Sequence, residues 1–210
     1  ESSASILILA TNHVSEAKLM ELQQLARDTS LTIHYKLLET LKDGDAISAV
    51  IAPYQLVIFD SVSGHEAEMS YAKFSKTVKA NAQTLFLPIK LLKTSPLRQG
   101  ITDAQATRLY EYYDNGGTKN FRRMLAYLET AIFHMSQQTV EAPIIFPKVG
   151  IYHPEYEQTV FASLDAYQEW KGISRNDKPV TVAIAMTKEA IASNQTHLVD
   201  EFIQHIEQRG

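Results

Sequence analysis

Short apolar runs that alternate with helical patterns are the feature that most constrains the fold of this chain. Residues 6–10 are an unbroken apolar stretch of the kind found in strands buried on both faces. Residues 56–60 repeat this pattern with an acid, Asp60, at the carboxyl end, and residues 84–88 are a further strand stopped by proline. Apolar residues at helical spacing over 14–28, and a predicted helix over 66–82, supply the crossovers between them. The order predicts an α/β fold with a doubly wound, mainly parallel sheet of the flavodoxin or Rossmann type.

The pattern becomes helical after this sheet. Thr102 and Gln105 have the spacing of a capping box, the Asn115-Gly116-Gly117 segment ends the first helix, and Thr118 is the expected cap of the second. A helical hairpin is therefore predicted, followed by a connector over 136–147.

The last part of the chain predicts the start of a second α/β unit. A helix around 161–170 precedes a buried-type strand over 180–185, and a final apolar helical face follows an expected cap at Asn194. The predicted organisation is a parallel-sheet domain over 1–100, the hairpin and connector over 101–147, and a truncated unit over 148–210.

The predicted final strand and helix also bear on whether the natural polypeptide is longer than this sequence. A crossover helix normally delivers the chain to another parallel strand, so we expect the natural polypeptide to continue past Gly210 into a further α/β domain. The alternative is a terminal helix packed on its own sheet.

Composition excludes several classes of function. The net charge of -4 leaves no basic stripe for nucleic acid or anionic membrane, and the absence of cysteine excludes disulfides and thiolate sites. The run over 6–10 is about a quarter of the roughly 20 residues needed to span a bilayer, so no transmembrane segment is predicted. The small polar start at Glu1 fits either a processed or a cloned chain.

Candidate ligand-binding residues follow the predicted strands. In a doubly wound sheet, ligands gather at the carboxyl ends of the strands. This edge is expected to hold Thr11, Asn12, His13, Asp60, Ser61 and His65. The alternative interpretation makes His13 and Asp60 helix caps and places His65 in a solvated loop.

Further along the chain, the turn at Tyr152-His153-Pro154 is a weaker candidate. It presents the His153 imidazole from a rigid turn, or simply steers the chain between domains. The cluster of Tyr110, Tyr112 and Tyr113 is expected to pack in the core, because its members recur at helical spacing.

Three familiar α/β functions are not supported by the residues. Residues 12–16 lack the glycine and small residues of an FMN phosphate loop, and no glycine-rich nucleotide loop for ATP occurs. Asp60 and Lys90 match a receiver domain, but the acidic pair that would hold magnesium after the first strand is missing.

The second half of the chain resembles a known family. The segment Asn120-Phe121-Arg122-Arg123 and the stretches over 112–117, 150–154, 160–170, 178–182 and 207–210 are similar in order and spacing to the large subunit of cobaltochelatase (CobN) and the magnesium chelatase H subunit. The first half is similar only in its α/β pattern.

This resemblance implies a large subunit that binds a tetrapyrrole, such as a porphyrin or an intermediate of cobalamin biosynthesis, and inserts a divalent metal ion. It implies separate AAA+ ATPase subunits as partners and a cytoplasmic location. The catalytic residues of the family lie in later domains, so the resemblance assigns no catalytic residue, metal ligand or bound cofactor to these residues.

One departure points to a different branch of the family. Where relatives continue the strand with an aromatic-Arg-Ser-His type of segment, this chain has Met186-Thr187-Lys188-Glu189. The resemblance extends to an HmuS-like haem-uptake branch proposed to remove iron from haem, which would imply a periplasmic or membrane-attached protein. A stand-alone ligand-binding α/β module without catalysis is the alternative function.

Overall fold

A computed structural model describes residues 3–41, 47–61, 83–90, 98–174 and 182–209. The four-stranded sheet confirms the predicted α/β fold, because all its strand pairs are parallel and the strand order is β2-β1-β3-β4. The strands are β1 (Ala4–Ala10), β2 (Leu31–Leu37), β3 (Leu56–Asp60) and β4 (Leu85–Pro88). The predicted helix over 66–82 lies outside the described residues.

Seven α-helices are formed by the described residues. They are α1 (Glu16–Ala26), α2 (Ile47–Ile51), α3 (Asp103–Asn115), α4 (Gly117–Tyr127), α5 (Leu164–Lys171), α6 (Lys188–Ala192) and α7 (His197–Glu207). None of the helices in these ranges is long and apolar enough to span a bilayer.

β1 is buried on both faces because successive side chains of a strand point in opposite directions. Ile6 and Ile8 pack in the core that contains α1 and the α3–α4 hairpin. Leu7 and Leu9 pack in a second core on the other face, together with Ile51 of α2. Full burial of one such side chain stabilises the fold by about 1.5–3 kcal/mol, so the unbroken apolar run of β1 holds both layers together.

The helical hairpin forms as predicted, with one correction at its second cap. Thr102 and Gln105 make both hydrogen bonds of a capping box at the start of α3. The prediction that Thr118 caps α4 is wrong, because α4 begins at Gly117 with Gly116 as its N-cap. The Thr118 hydroxyl donates instead to the Glu21 carboxylate of α1, which ties the hairpin to the first crossover helix.

The predicted connector crosses the hairpin as an extended strap that is bound by two buried asparagines. Asn120 donates to the carbonyl of Ile144 (2.9 Å) and accepts from its N–H (2.8 Å), so this side chain imitates a strand partner. The side-chain Oδ1 of Asn115 accepts from the N–H of Phe146 (2.8 Å). The two asparagines therefore satisfy three buried backbone groups of the strap, at Ile144 and Phe146, without a sheet.

The second unit differs from the predicted one in its β-structure. Its strands are a short antiparallel pair, β5 (Ile151–Tyr152) and β6 (Val160–Phe161). The prediction of a buried strand over 180–185 is wrong for the described residues 182–185, which are exposed and lack strand structure. Their backbone makes no strand pairing with any described residue, so the apolar composition alone does not form a strand.

The cap predicted for the last helix is also wrong. α7 begins at His197 after Thr196, and Asn194 adopts a left-handed φ of 54° three residues before the helix. Asparagine tolerates this conformation better than most residues, which explains its position in the turn after α6.

Gly116 is required where the hairpin meets α6. A Cβ atom at this position would lie 2.2 Å from the carbonyl oxygen of Ala192, and the φ, ψ of 62°, −156° belong to a region that is essentially restricted to glycine. Backbone atoms of Ala192 cannot move aside as a flexible side chain could, so the two helices approach closely only around glycine.

We expect Gly116→Ala to lower the free energy of unfolding by more than about 3 kcal/mol, because it adds a backbone clash to an unfavourable φ. Gly172→Ala is the matched control: its φ is 72°, but its Cβ would meet no atom within 4 Å, so only about 1–2 kcal/mol should be lost. Urea denaturation of both variants measures the difference. Equal losses would contradict a close approach at Gly116.

Candidate functional site

A polar cleft of about 630 Å³ lies at the carboxyl edge of the parallel sheet. All four strands contribute to it, because each one ends at this edge. The cleft is lined by Asn12, His13, Val14, Ser15, Glu16, Ala17, Lys18, Leu37, Asp60, Lys90, Glu189 and Gln195.

The cleft lies at the carboxyl ends of the two central strands, β1 and β3. β2 lies on one side of β1 and β3 on the other, so the chain that leaves β1 towards β2 runs away from β3, and the cleft lies at the adjoining ends of β1 and β3. The cleft is closed at its base by the Thr11 N–H, which donates to the Asp60 carbonyl at 3.1 Å. The strand order therefore positions the cleft, and the side chains give it polarity.

Asp60 is a fully buried carboxylate at the end of β3. Its Oδ2 accepts a hydrogen bond of 2.7 Å from the hydroxyl of Tyr113, which is on α3. Its Oδ1 makes no hydrogen bond within the described ranges and lies 3.4 Å from the Lys90 ammonium. One strong neutral donor and one cation thus compensate a charge that would be very unfavourable alone.

The surroundings of the Tyr113 hydroxyl raise its pKa. Burial raises the pKa of its hydroxyl well above the ordinary value of 10.0, and the charge of Asp60 and the hydrogen bond to it raise it further. The phenol therefore stays protonated and remains a donor to Asp60 at any physiological pH.

Lys18, on the first turn of α1, is the least expected member of the site. Only 3% of its surface is exposed, and its Nζ lies 4.0 Å from the centroid of the Tyr113 ring. Burial lowers the pKa of the amine from 10.5, although the charges of Asp60 and Glu189 oppose this effect. No described residue accepts a hydrogen bond from the Lys18 Nζ, and it borders the cleft.

The second unit closes the cleft from outside the sheet domain. Glu189 on α6 is held by the Ser193 hydroxyl at 2.8 Å, and the Lys188 ammonium binds the Asp114 carboxylate of α3 at 2.9 Å. These contacts, with the close approach at Gly116, place an acidic side chain opposite the carboxyl edge. The cleft is composite, and neither unit forms it alone.

Three of the predicted ligand-binding residues come together in this cleft. Asn12, His13 and Asp60 all line it, and the backbone N–H of Asn12 is held by the Glu39 carboxylate at 3.0 and 3.1 Å. His65 lies outside the described residues. The binding role of all these residues remains a prediction.

His153, the fifth predicted residue, lies elsewhere and is only 2% exposed. Its Nδ1 accepts from the Glu155 N–H at 3.2 Å, so its Nε2 carries the hydrogen and donates to the Glu207 carboxylate at 3.2 Å. Although partial burial opposes it, hydrogen bonds from Lys171 and His153 lower the pKa of Glu207. Nδ1 therefore stabilises the turn after β5, and Nε2 holds α7 against it.

Sequence reasoning missed the residues contributed by helices. Lys18 and Glu189 are charged residues on short helices, and such residues normally face solvent. Tyr113 was expected in the core, which is correct, but its hydroxyl also binds Asp60. Lys90 carried a usable signal, since it follows the last strand of the sheet at the same edge as Asp60.

The geometry of the described residues shows no cluster of three or more histidine and acidic side chains that could hold a metal ion. Asp60 is hydrogen-bonded by Tyr113 and paired with Lys90, and Glu189 is occupied by Ser193. Two of the acidic side chains in the cleft, Asp60 and Glu189, therefore already have hydrogen-bonding partners within the protein.

Comparison with known proteins agrees with the resemblance seen in the sequence. The family model described as CobN/Magnesium Chelatase matches residues 110–210. The fold is similar over 100% of the chain to the catalytic subunit of cobaltochelatase from Mycobacterium tuberculosis, with a TM-score of 0.56 and 15% sequence identity. The chain spans 16% of the length of that subunit. No curated protein matches the sequence.

We expect Tyr113→Phe to lower the free energy of unfolding by about 1.5–3 kcal/mol, because it removes a hydrogen bond to a buried charge. Tyr127→Phe is the control, since that hydroxyl makes no hydrogen bond to the described residues, and it should change stability by less than about 0.5 kcal/mol. Thermal or urea unfolding at pH 7 distinguishes them. Similar effects of the two variants would argue against the Asp60 contact.

Lys18→Met should change how stability depends on pH. Well below the lowered folded pKa, both the folded and unfolded wild-type chains hold the proton, and the burial penalty is complete. As the pH rises through the folded pKa towards 10.5, the folded chain releases the proton first, so wild-type stability rises. Any stability advantage of the variant should therefore shrink between pH 7 and 10.

Urea denaturation across this range is the measurement, with Lys148→Met as a matched substitution at an exposed lysine. The Tyr113 hydroxyl, whose pKa burial raises well above 10.0, is present in both the wild type and Lys18→Met, so its titration cancels in the difference between them. A stability difference between Lys18→Met and wild type that stays constant from pH 7 to 10 would contradict the shifted pKa.

Proposed function

We propose that this chain is a segment of a chelatase-type subunit that binds a tetrapyrrole and inserts a metal ion into it. The observation that carries the proposal is the match of residues 110–210 to the CobN/Magnesium Chelatase family. The similarity of fold to a cobaltochelatase subunit over the whole chain supports it, although that similarity concerns the fold alone.

The region that matches the family model also contributes residues to the cleft. Tyr113, Gly116 and Glu189 all lie within residues 110–210, and they bind Asp60, admit α6 and face the carboxyl edge. The segment is thus organised around a site that joins the matched unit to the preceding sheet. We propose that this cleft contacts the polar periphery of the macrocycle.

The metal step is assigned to other parts of the polypeptide. No described residue is proposed as a metal ligand or a catalytic residue, and the metal ion is a substrate that arrives with the macrocycle. AAA+ ATPase subunits are the proposed partners. Removal of iron from haem, as in an HmuS-like branch, is the reverse direction of the same chemistry and would accompany an exported or membrane-attached location.

A ligand-binding module without catalysis is the second candidate. The size of the cleft favours it, because about 630 Å³ falls within the range of small-molecule sites. Such a module would bind its ligand without ATPase subunits and without a spectral change in any tetrapyrrole.

The test is a metallation assay with the full natural polypeptide, ATPase subunits, a tetrapyrrole and a divalent metal ion. We expect an ATP-dependent shift of the Soret band when metal enters the macrocycle. In the same assay, His13→Ala should weaken tetrapyrrole binding several-fold, because it removes a cleft side chain, whereas His134→Ala, outside the cleft, should have no effect.

A spectral shift in the reverse direction with haem would favour the haem-uptake branch. Failure to bind any porphyrin or cobalamin precursor, with or without partners, would contradict the chelatase proposal and favour the binding module.

A further inference from the structure

The amino terminus of α1 presents unpaired donors to the cleft. The backbone N–H groups of Glu16, Ala17 and Lys18 have no hydrogen-bond acceptor in the described part of the chain. The Ser15 side chain, which holds the N-cap position, makes no capping hydrogen bond. All four residues line the cleft. The positive end of the helix dipole is therefore exposed to whatever occupies the cleft.

A second, independent observation points to the same place. The Lys18 side chain is almost completely buried, yet its Nζ contacts only the face of the Tyr113 ring and donates to no described oxygen. This burial is unfavourable for the ammonium, because it removes most of the hydration of the side chain and no described oxygen accepts from it. The Nζ atom itself is not fully enclosed, so it remains accessible from the cleft. The other nearby cation, Lys90, already has Asp60 as its partner.

We propose that the cleft binds the carboxylate group of a small molecule between the amino terminus of α1 and the Lys18 ammonium. One carboxylate oxygen accepts from the free N–H groups of the first turn of α1, and the other accepts from Lys18. Both sets of donors gain the hydrogen-bond acceptor that they lack, and Lys18 gains a charged partner in direct contact in addition to the charges of Asp60 and Glu189 nearby.

The surrounding acids favour a monoanion over a phosphate dianion. Asp60 and Glu189 both act electrostatically on Lys18, and Glu16 lines the cleft as well, although its carboxylate accepts from the Tyr35 hydroxyl at 2.8 Å. The cleft lining carries three carboxylates, Glu16, Asp60 and Glu189, against two ammonium groups, Lys18 and Lys90. This excess of negative charge repels a dianion about twice as strongly as a singly charged carboxylate. Charge therefore selects the ligand class.

Two sources would supply this carboxylate. A tetrapyrrole with carboxylate side chains would place one of its arms in the cleft, and only this identification depends on the proposed function. A free small carboxylic acid would bind in the same way and would make the cleft a sensing or regulatory site. The anion site itself requires only the geometry around α1 and Lys18.

The experiment is an NMR titration of the chain with sodium acetate, with sodium chloride and phosphate as reference anions. We expect saturable shifts of the backbone amide signals of Glu16, Ala17 and Lys18 with acetate. Chloride and phosphate should produce weaker shifts at equal ionic strength, which separates binding from general screening.

Lys18→Met should weaken acetate binding at least tenfold, since it keeps an unbranched apolar stem and removes the charge. Lys148→Met makes the same chemical change at an exposed lysine outside the cleft and should bind acetate like the wild type. Equal affinity of the two variants, or amide shifts that fail to saturate, would overturn the proposal.

A second measurement covers the case in which Lys18→Met does not fold. In the wild type, a bound carboxylate should raise the pKa of the Lys18 amine, which is followed through its side-chain NMR signals with and without acetate. An unchanged titration would also overturn the proposal.

The last arm identifies the source of the carboxylate. A porphyrin with free carboxylates should compete with acetate, whereas its fully esterified form should not. Competition by both forms would contradict recognition through a carboxylate. If neither competes while acetate binds, the anion site stands, its ligand is a small acid, and the chelatase proposal must rely on its own assay.

Discussion

The buried Asp60 carboxylate is the interaction on which the arrangement of this molecule depends. Its backbone carbonyl accepts from Thr11, and its side chain accepts from Tyr113, so the ends of two strands and the helical hairpin meet at one residue. A buried charge is tolerated only with partners in good geometry, and this requirement fixes the hairpin over one face of the sheet more specifically than apolar contact would.

The position of the hairpin also fixes the position of α6 in the second unit. Once α3 is fixed by Tyr113, its end at Asn115 and Gly116 is fixed too, and Gly116 admits the backbone of α6 at a distance that any side chain would prevent. α6 then carries Glu189 to the cleft. A residue about 130 positions from Asp60 in sequence thus faces the same cleft through a continuous series of rigid contacts.

The sequence predicted the sheet and the hairpin because their signals are local. Apolar runs, the capping box at Thr102 and the glycines after Asn115 each determine the structure of their own neighbours. The predicted strand failed over residues 182–185 because a strand also needs a neighbouring strand to pair with, and no local pattern reports such a partner. The edge position of Asn12, His13 and Asp60 followed from topology, but the contributions of Lys18 and Glu189 depended on tertiary packing that brings helix faces inward.

The charges of the cleft are difficult to explain by stability alone. Burial shifts the pKa of Lys18 downwards and that of Tyr113 upwards, so both groups carry the cost of removal from water. Apolar residues of similar volume often serve equally well or better where a buried ionic cluster is only structural. Asp60 and Tyr113 can be understood as a pair that positions the hairpin, but the Lys18 ammonium lies over the Tyr113 ring without a hydrogen-bond acceptor among the described residues. The contact with the Tyr113 ring and the charges of Asp60 and Glu189 offset part of this cost, but they supply no hydrogen-bond acceptor. An anion in the cleft would supply that acceptor, which is the physical reason to interpret Lys18 as a binding group and not only a structural one.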